Sequence, residues 1–259
     1  MRRLRRFLLQ FSILVGSAGL IVTGIIMLAL RPPAPLPAPA DNFILERVTL
    51  VEPGGKTRGP VRLEVKNGLI HSIRAAEAAA GAPFKNRFVI PGLTDMHAHL
   101  PVIQLPGDAE YTSLLMLLHG VTRVRLLGGV EIPFLHEYRE RIEAGDAPGP
   151  RYFNCGPFLD GEDPVLPGAR VITNAEEARS AVAELAAQGA DCIKAYEKLN
   201  AESAIGLREA AQSHGIKIVG HTPRSVPFEI ARFDDHQHLR GLHPPFLDES
   251  MDYPYFLQA

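Results

Sequence analysis

Short apolar segments alternate with amphipathic ones from residue 87 onward, and this alternation constrains the fold more than any other feature. The apolar segments are typical of strands and are centred near residues 88, 122, 152, 192, 217 and 233. The clearest helix pattern runs from Ala178 to Ala186, with apolar side chains at i, i+3, i+4, i+7 and i+8 behind a capping Asn174. Strands that alternate with helices form parallel sheets through right-handed crossovers, so the sequence predicts an α/β fold.

The N-terminus predicts a membrane-spanning helix. Four arginines lie within the first six residues, and residues 7–30 carry no charge. A helix of that length covers about 36 Å, which exceeds a hydrocarbon core of about 30 Å. Because the arginines precede the apolar run, the positive-inside rule places the N-terminus in the cytoplasm and the body outside, in the periplasm if the cell is bacterial. A cleaved signal peptide, which would release a secreted body, is the alternative.

The sequence divides into four predicted parts. Residues 1–31 form the membrane helix, and residues 32–43 form a proline-rich linker that behaves as a semi-rigid spacer. Residues 44–87 are rich in β-forming side chains and contain the hairpin signal Asn67-Gly68. Residues 88–259 carry the alternating strands and helices.

Composition excludes several classes of function. The net charge of the chain is −2. Without the four N-terminal arginines, the chain has 23 basic and 29 acidic residues, which gives a net charge of −6. A mildly acidic body lacks the basic face that nucleic-acid binding needs, so no nucleic-acid partner is expected. The two cysteines, Cys155 and Cys192, are too few for a disulfide scaffold and lack zinc-finger spacing.

The strongest chemical signal is a pair of histidines, His97 and His99, in the stretch Pro-Gly-Leu-Thr-Asp-Met-His-Ala-His. Residues at i and i+2 of an extended segment point to the same side. At the end of a parallel strand the two imidazoles would converge on one point, which is the geometry of a metal site.

Lys194 lies inside the apolar segment Cys192–Tyr196. A buried ammonium is costly unless it is neutralised, paired or modified. The sequence leaves three interpretations open: an ammonium that reaches solvent at the strand end, an ion pair with a carboxylate, or a lysine carboxylated by CO₂ that ligates metal.

Two more histidines follow strand ends. His221 comes after the strand near 217, and His238 after the strand near 233, with His236 as a rival to His238. Catalytic groups of βα barrels collect at the C-terminal ends of strands, so His221 and His238 are candidate metal ligands.

These residues resemble the metal-dependent amidohydrolase superfamily, in its imidazolonepropionase-like and Xaa-Pro-dipeptidase-like branch. The resemblance covers residues 44 to about 243. It rests on three stretches in this order: Pro91-Gly92-Leu93-x-Asp95-x-His97-x-His99, Gly189-Ala190-Asp191-x-Ile193-Lys194-x-Tyr196 and Val219-Gly220-His221-Thr222. A fourth, Gln237-His238-Leu239, matches a family Glu-His-Leu.

The resemblance implies a fold and a site. The fold is a (β/α)₈ barrel beside a small β-sandwich. The site holds two divalent ions, with zinc expected, bridged by a carboxylated Lys194. Tyr196 faces the substrate, and Lys194 and His221 take part in catalysis. The implied metal ligands are His97, His99, Lys194, His221 and His238.

The implied reaction is hydrolysis of a carbon–nitrogen bond in an amide, a cyclic amide or a dipeptide. A metal-bound hydroxide would attack the carbonyl that the ions polarise. The sequence does not specify the substrate, and it is compatible with an oligomer.

The C-terminal part departs from the family pattern. Residues 92–259 number 168, against about 250 for a whole barrel, so about six strand–helix units are expected. No segment after His238 resembles the eighth strand, whose aspartate binds metal and shuttles a proton. Asp248 and Asp252 follow only a few residues later. The sequence therefore predicts a C-terminally truncated enzyme with little activity of its own. An inactive, membrane-tethered metal- or ligand-binding module is the alternative.

Overall fold

The computed structural model describes residues 2–29, 31, 33, 40–77, 84, 86–101 and 107–238. Predictions for residues 239–259, including Asp248 and Asp252, and for most of the linker lie outside these ranges. Helix α1 (Arg2–Ala29) contains an apolar, exposed stretch, Gln10–Leu28, that is long enough to cross a bilayer. A signal sequence has the same length and composition, so α1 fits either a membrane span or a signal sequence.

The residues after the linker form a four-stranded sheet. Its strands are β1 (Phe43–Val51), β2 (Thr57–Lys66), β3 (Leu69–Ala75) and β4 (Phe88–Val89), in the order β3-β2-β1-β4. Strands β1, β2 and β3 are antiparallel, and the predicted Asn67-Gly68 hairpin joins β2 to β3, with both residues at positive φ. One face buries an apolar cluster: Val48, Leu50, Val61, Leu63 and Val65.

Strand β4 corrects one expectation. The segment near Phe88 was predicted to open the run of parallel strands, but it pairs with Thr49 and Leu50 of β1. A two-residue strand has no periodicity of its own, so only its tertiary partner decides its sheet. The first strand of the parallel part is instead β5 (Leu93–Ala98), which contains His97.

The remaining chain alternates parallel strands with helices. After β5 come α2 (Asp108–Leu118), β6 (Val121–Leu126), α3 (Ile132–Glu143), β7 (Arg151–Asn154), β8 (Phe158–Asp160), β9 (Arg170–Val171), α4 (Ala175–Ala187), β10 (Cys192–Ala195), α5 (Ala201–His214), β11 (Lys217–Gly220), α6 (Phe228–Ala231) and β12 (Asp235–His236). The strand orders are β5-β6-β7 and β12-β11-β10-β8-β9, and every pair is parallel.

One segment, residues 151–160, joins the two parallel sheets. Its first half, β7, pairs with β6, and its second half, β8, pairs with β10. Asp191 donates its backbone N–H to Asn154 O at 2.8 Å, so the ladder from β10 continues past the break. The sequence indicated one unbroken strand near 152, whereas the structure divides this segment between two parallel sheets.

The two cysteines form a disulfide across this break. Cys155 lies between β7 and β8, and Cys192 begins β10. Both are buried, with Leu127 and Val219 against them. From the sequence, the two cysteines only excluded a disulfide scaffold and a zinc finger. Their pairing was not predicted, because cysteine spacing does not show which residues two neighbouring strands bring together.

Helix α4 begins at the predicted cap, and α5 begins at a cap of the same kind. Asn174 and Asn200 accept hydrogen bonds from the backbone N–H groups of Glu177 and Ser203, at 2.9 and 2.8 Å. Four of the five predicted inward residues of α4 are buried and the fifth, Ala186, is partly exposed, while α5 ends at Gly215 in the left-handed conformation. These helices cover the sheet formed by β8, β10 and β11, which fixes the strand ends that carry the site.

Candidate metal centre

Five of the predicted ligands and Tyr196 line one cavity of about 180 Å³. The cavity lies at the C-terminal ends of the parallel strands, and its remaining walls are mainly apolar, including Leu100 and Phe158. The predicted residues that meet there are His97, His99, Lys194, Tyr196, His221 and His238. The rival His236 is held elsewhere: its Nδ1 lies 2.8 Å from Thr222 Oγ1, and its Nε2 accepts the Phe233 N–H at 3.2 Å.

The strands bring the imidazole rings close together. His97 lies in β5 and His99 directly after it, with ring centroids 5.2 Å apart. His238 lies 4.4 Å from the His97 centroid and 5.0 Å from that of His221. Gly128, which follows β6, has a φ of +97°, and a Cβ there would lie 2.5 Å from Phe158 and 3.1 Å from Lys194. Glycine therefore allows this loop to pass beside Lys194.

A chain of polar contacts fixes the proton on His97. Gln237 donates its amide N–H to Asp235 Oδ1 at 2.5 Å, so its amide oxygen faces His97 Nδ1 at 2.7 Å. Arg125 in turn donates to Asp235 Oδ2 and to Met96 O. Because the amide oxygen only accepts, Nδ1 carries the proton, and Nε2 presents a lone pair to the cavity.

His99 has the same arrangement. Its Nδ1 lies 3.5 Å from Gly128 O, a carbonyl that can only accept, and its Nε2 lies 3.2 Å from His97 Nε2. Two unprotonated nitrogens cannot hydrogen-bond to each other. Two nitrogen ligands of one tetrahedral zinc ion, at about 2.05 Å each, would be about 3.3 Å apart. The spacing of these nitrogens therefore fits a shared cation.

His221 is buried, and its Nδ1 lies 3.0 Å from Glu197 Oε1. The carboxylate accepts the Nδ1 proton, which again leaves Nε2 as the lone-pair nitrogen. Burial lowers the pKa of the His221 imidazole, and burial also lowers the pKa values of His97 and His99. All three rings therefore favour the neutral form that ligates metal.

Lys194 is fully buried, and its Nζ has no hydrogen-bond partner among the described residues. Burial, followed by the nearby charge of Arg125, lowers the pKa of Lys194 to about 8. At pH 7 about one-tenth of such an amine is neutral, compared with well under one-thousandth at the ordinary pKa. Only the neutral amine reacts with CO₂, so this environment favours carboxylation.

The described residues contain no group of three His, Cys, Asp or Glu side chains arranged to hold a metal ion. Four histidines and Lys194 line the same cavity, and a bare amine adds no anionic ligand. A carbamate on Lys194 would add the oxygen donors that these histidines lack.

Comparison with solved structures places this chain in a known fold. The bottromycin amidohydrolase AH matches with a TM-score of 0.64 and 25% identity over 80% of this chain and 45% of its own. A putative prolidase from Bifidobacterium longum matches with a TM-score of 0.59 and 23% identity, over 77% of this chain and 52% of its own. The A. niger ochratoxinase matches with a TM-score of 0.54 and 17% identity, over 74% of this chain and 58% of its own. No family model and no curated protein sequence matches. This chain has an amidohydrolase fold.

The amidohydrolase fold of this chain is α/β and of the TIM-barrel type, as the sequence predicted. The chain spans about half the length of these solved structures. Within the described residues one parallel sheet ends at β5 and β7 and the other at β9 and β12, and the Arg125–Asp235 ion pair connects β6 to β12.

The residues that hold the imidazole rings of His97 and His221 in place were not predicted from the sequence. Glu197 and Asp235 were not singled out, and Gln237 was quoted only as part of a family motif. A sequence signal exists for Glu197, because it is an acidic residue directly after the strand that carries Lys194. Nothing in the sequence shows that its carboxylate turns inward towards His221.

Proposed function

We propose that this chain forms the metal-binding part of a hydrolase that cleaves carbon–nitrogen bonds in amides, cyclic amides or dipeptides. The observation that carries the proposal is the common orientation of His97, His99 and His221. Each has an acceptor for its Nδ1 proton and lines the same cavity as Lys194, whose amine has no hydrogen-bond partner among the described residues.

The proposed cofactor is a pair of divalent ions, with zinc as the first candidate because imidazole and oxygen donors suit it. When bound, the ions would polarise the scissile carbonyl and activate water. The proposed ligands are His97, His99, His221, His238 and the carboxylated Lys194. In the carboxylation, the neutral Nζ forms a bond to the carbon of CO₂ and loses one proton to solvent.

The chain's own residues would orient the substrate and exclude water. Tyr196 packs its ring between Phe158 and His221, with centroid distances of 5.1 and 4.5 Å. We assign Tyr196 to the substrate-facing wall. Lys194 and His221 are the proposed catalytic residues, since both line the cavity and are fixed by burial.

The arrangement of the chain is also part of the proposal. Residues 1–31 anchor the protein in the membrane, residues 32–43 form the spacer, residues 44–87 contribute to a β-sandwich, and residues 88–259 contribute about six units of a (β/α)₈ barrel. The N-terminus lies in the cytoplasm and the body outside. The Cys155–Cys192 disulfide supports this orientation, because disulfides persist outside the reducing cytosol.

A second function, a membrane-tethered metal-binding module without catalysis, is favoured by one observation. Among the described residues that line the cavity there is no aspartate or glutamate. A carboxylate that moves the proton from water to the leaving nitrogen would have to come from outside this lining.

Metal analysis and an activity assay on the same sample test the proposal. The detergent-purified chain, loaded with zinc, is assayed against Xaa-Pro dipeptides, N-acyl amino acids and cyclic amides. We expect two ions per chain and slow hydrolysis that a chelator abolishes. Bound metal without turnover would favour the binding module, and failure to bind metal would contradict both functions.

A further inference from the structure

We infer that Glu197 is a positioning residue that selects the Nδ1–H tautomer of His221, and that Arg224 holds Glu197 in that role. The inference rests on the proposed metal-binding function, which it deepens. The structural feature is a buried carboxylate between two partners of different kinds. Its Oε1 lies 3.0 Å from His221 Nδ1, and its Oε2 accepts from Arg224.

The division of contacts argues against a purely structural ion pair. A guanidinium and a carboxylate usually pair through both oxygens, in a fork. Here the Nε–H and the NH2–H of Arg224 both donate to Oε2, with the Nε contact at 2.8 Å. The other oxygen, Oε1, contacts the imidazole.

Burial points in the same direction. The Glu197 side chain is 3% exposed, whereas that of Arg224 is 49% exposed. An ion pair that served stability alone could lie at the surface, where the carboxylate keeps its water. Burying a carboxylate is costly, and here the buried position places Oε1 beside His221 Nδ1.

Backbone contacts fix the distance between the two residues. Arg224 donates its backbone N–H to Glu197 O at 2.8 Å, and His221 donates its own to Ala195 O at 3.1 Å. The ends of β10 and β11 therefore move together. Glu197 keeps its position relative to the ring, and His221 Nε2 stays directed at the cavity.

Glu197→Gln gives a test that depends on the tautomer. An amide has one acceptor and one donor side. If its oxygen remains towards His221, its NH₂ faces the donors of Arg224. If it flips, its oxygen satisfies Arg224 and its NH₂ requires an acceptor at Nδ1, which moves the ring proton to Nε2. The flipped form satisfies both Arg224 and His221, so we expect Glu197→Gln to invert the tautomer and block the ligand nitrogen.

The experiment measures the tautomer and the metal affinity separately in the full chain. Nitrogen-15 NMR of ring-labelled histidine, assigned with His221→Gln, reports the tautomer of the metal-free protein. Competition with a chromophoric chelator reports zinc affinity. In Glu197→Gln we expect Nε2–H at His221 and a loss of affinity of about 10–100-fold. The matched control is Glu209→Gln, which breaks the exposed pair with Arg179 and should change neither reading.

Several outcomes would overturn the inference. They are Nε2–H at His221 in the unmutated metal-free chain, or a folded Glu197→Gln variant with unchanged tautomer and affinity. The first reading needs no variant, so a misfolded Glu197→Gln protein would not leave the question open. Failure of the unmutated chain to bind zinc would contradict the proposed function, while the metal-free spectra would still decide the role of Glu197.

Discussion

Lys194 presents the sharpest conflict at the scale of single residues. Its amine is fully buried and has no hydrogen-bond partner in the described part of the chain, and its pKa falls from 10.5 to about 8. A group whose charged form is disfavoured by folding destabilises the fold wherever the unfolded chain is charged. The cost is roughly 3 kcal/mol below pH 8, because each pKa unit corresponds to about 1.4 kcal/mol, and it disappears as the pH rises towards 10.5.

We therefore predict that Lys194→Met stabilises the metal-free chain by roughly 2–3 kcal/mol at pH 7 in CO₂-free buffer. The measurement is urea unfolding after chelation. The matched control is Lys217→Met, whose exposed ammonium pairs with Asp234 and whose loss should change stability by less than about 1 kcal/mol. An unchanged or lower stability of Lys194→Met at pH 7 would show that burial of the Lys194 amine does not destabilise the folded chain.

The same residue should decide metal binding. We predict that Lys194→Ala loses bound zinc in elemental analysis, and that short carboxylic acids restore part of it by replacing the carbamate oxygens. The matched control is Lys217→Ala, at the N-terminal end of β11, and this variant should keep its metal. Two ions per chain with unchanged affinity in Lys194→Ala would exclude Lys194 as the bridge.

Residue chemistry explains which parts of the candidate site the sequence predicted. His97, His99, Lys194 and His221 follow or end apolar strands, and parallel strands place such ends together. The partners of these rings could not be predicted in this way. Glu197, Asp235 and Arg125 are charged residues whose inward orientation depends on packing, and charged residues at strand ends more often face solvent.

At the scale of elements, the Cys155–Cys192 disulfide closes a loop of 37 residues between β7 and β10. Such a link stabilises by roughly 3–4 kcal/mol in the chain-entropy account. We predict that Cys155→Ala/Cys192→Ala lowers the free energy of unfolding by about that amount in urea titration. Added reductant should destabilise the unmutated chain and leave the double variant unchanged. Equal sensitivity of the two proteins to reductant would contradict a native disulfide.

The elements also show where sequence patterns fail. Helix α4 was predicted with its cap, because capping and periodicity are local. Strand β4 was assigned to the wrong sheet and the break between β7 and β8 was missed, because strands of two to four residues take their partners from the tertiary fold.

At the scale of the whole molecule, we propose that α1 is a retained membrane anchor and that the body lies in an oxidising compartment. We predict that the protein stays in the membrane fraction after alkaline carbonate washing. We also predict that its two cysteines resist alkylation until a reductant is added. Soluble protein with an N-terminus near Asp41 would establish a cleaved signal peptide, and free thiols in freshly isolated protein would contradict an extracytoplasmic body.

The central claim is that the amidohydrolase fold of this chain holds divalent metal at His97, His99, Lys194, His221 and His238. Diffraction from zinc-loaded crystals above and below the zinc absorption edge tests it most directly. The account predicts two anomalous peaks in the cavity, ligated by these imidazoles, with carbamate density on Lys194 Nζ between them. Crystals grown with excess zinc that show no peak in the cavity, or an unmodified Lys194 beside bound zinc, would contradict it.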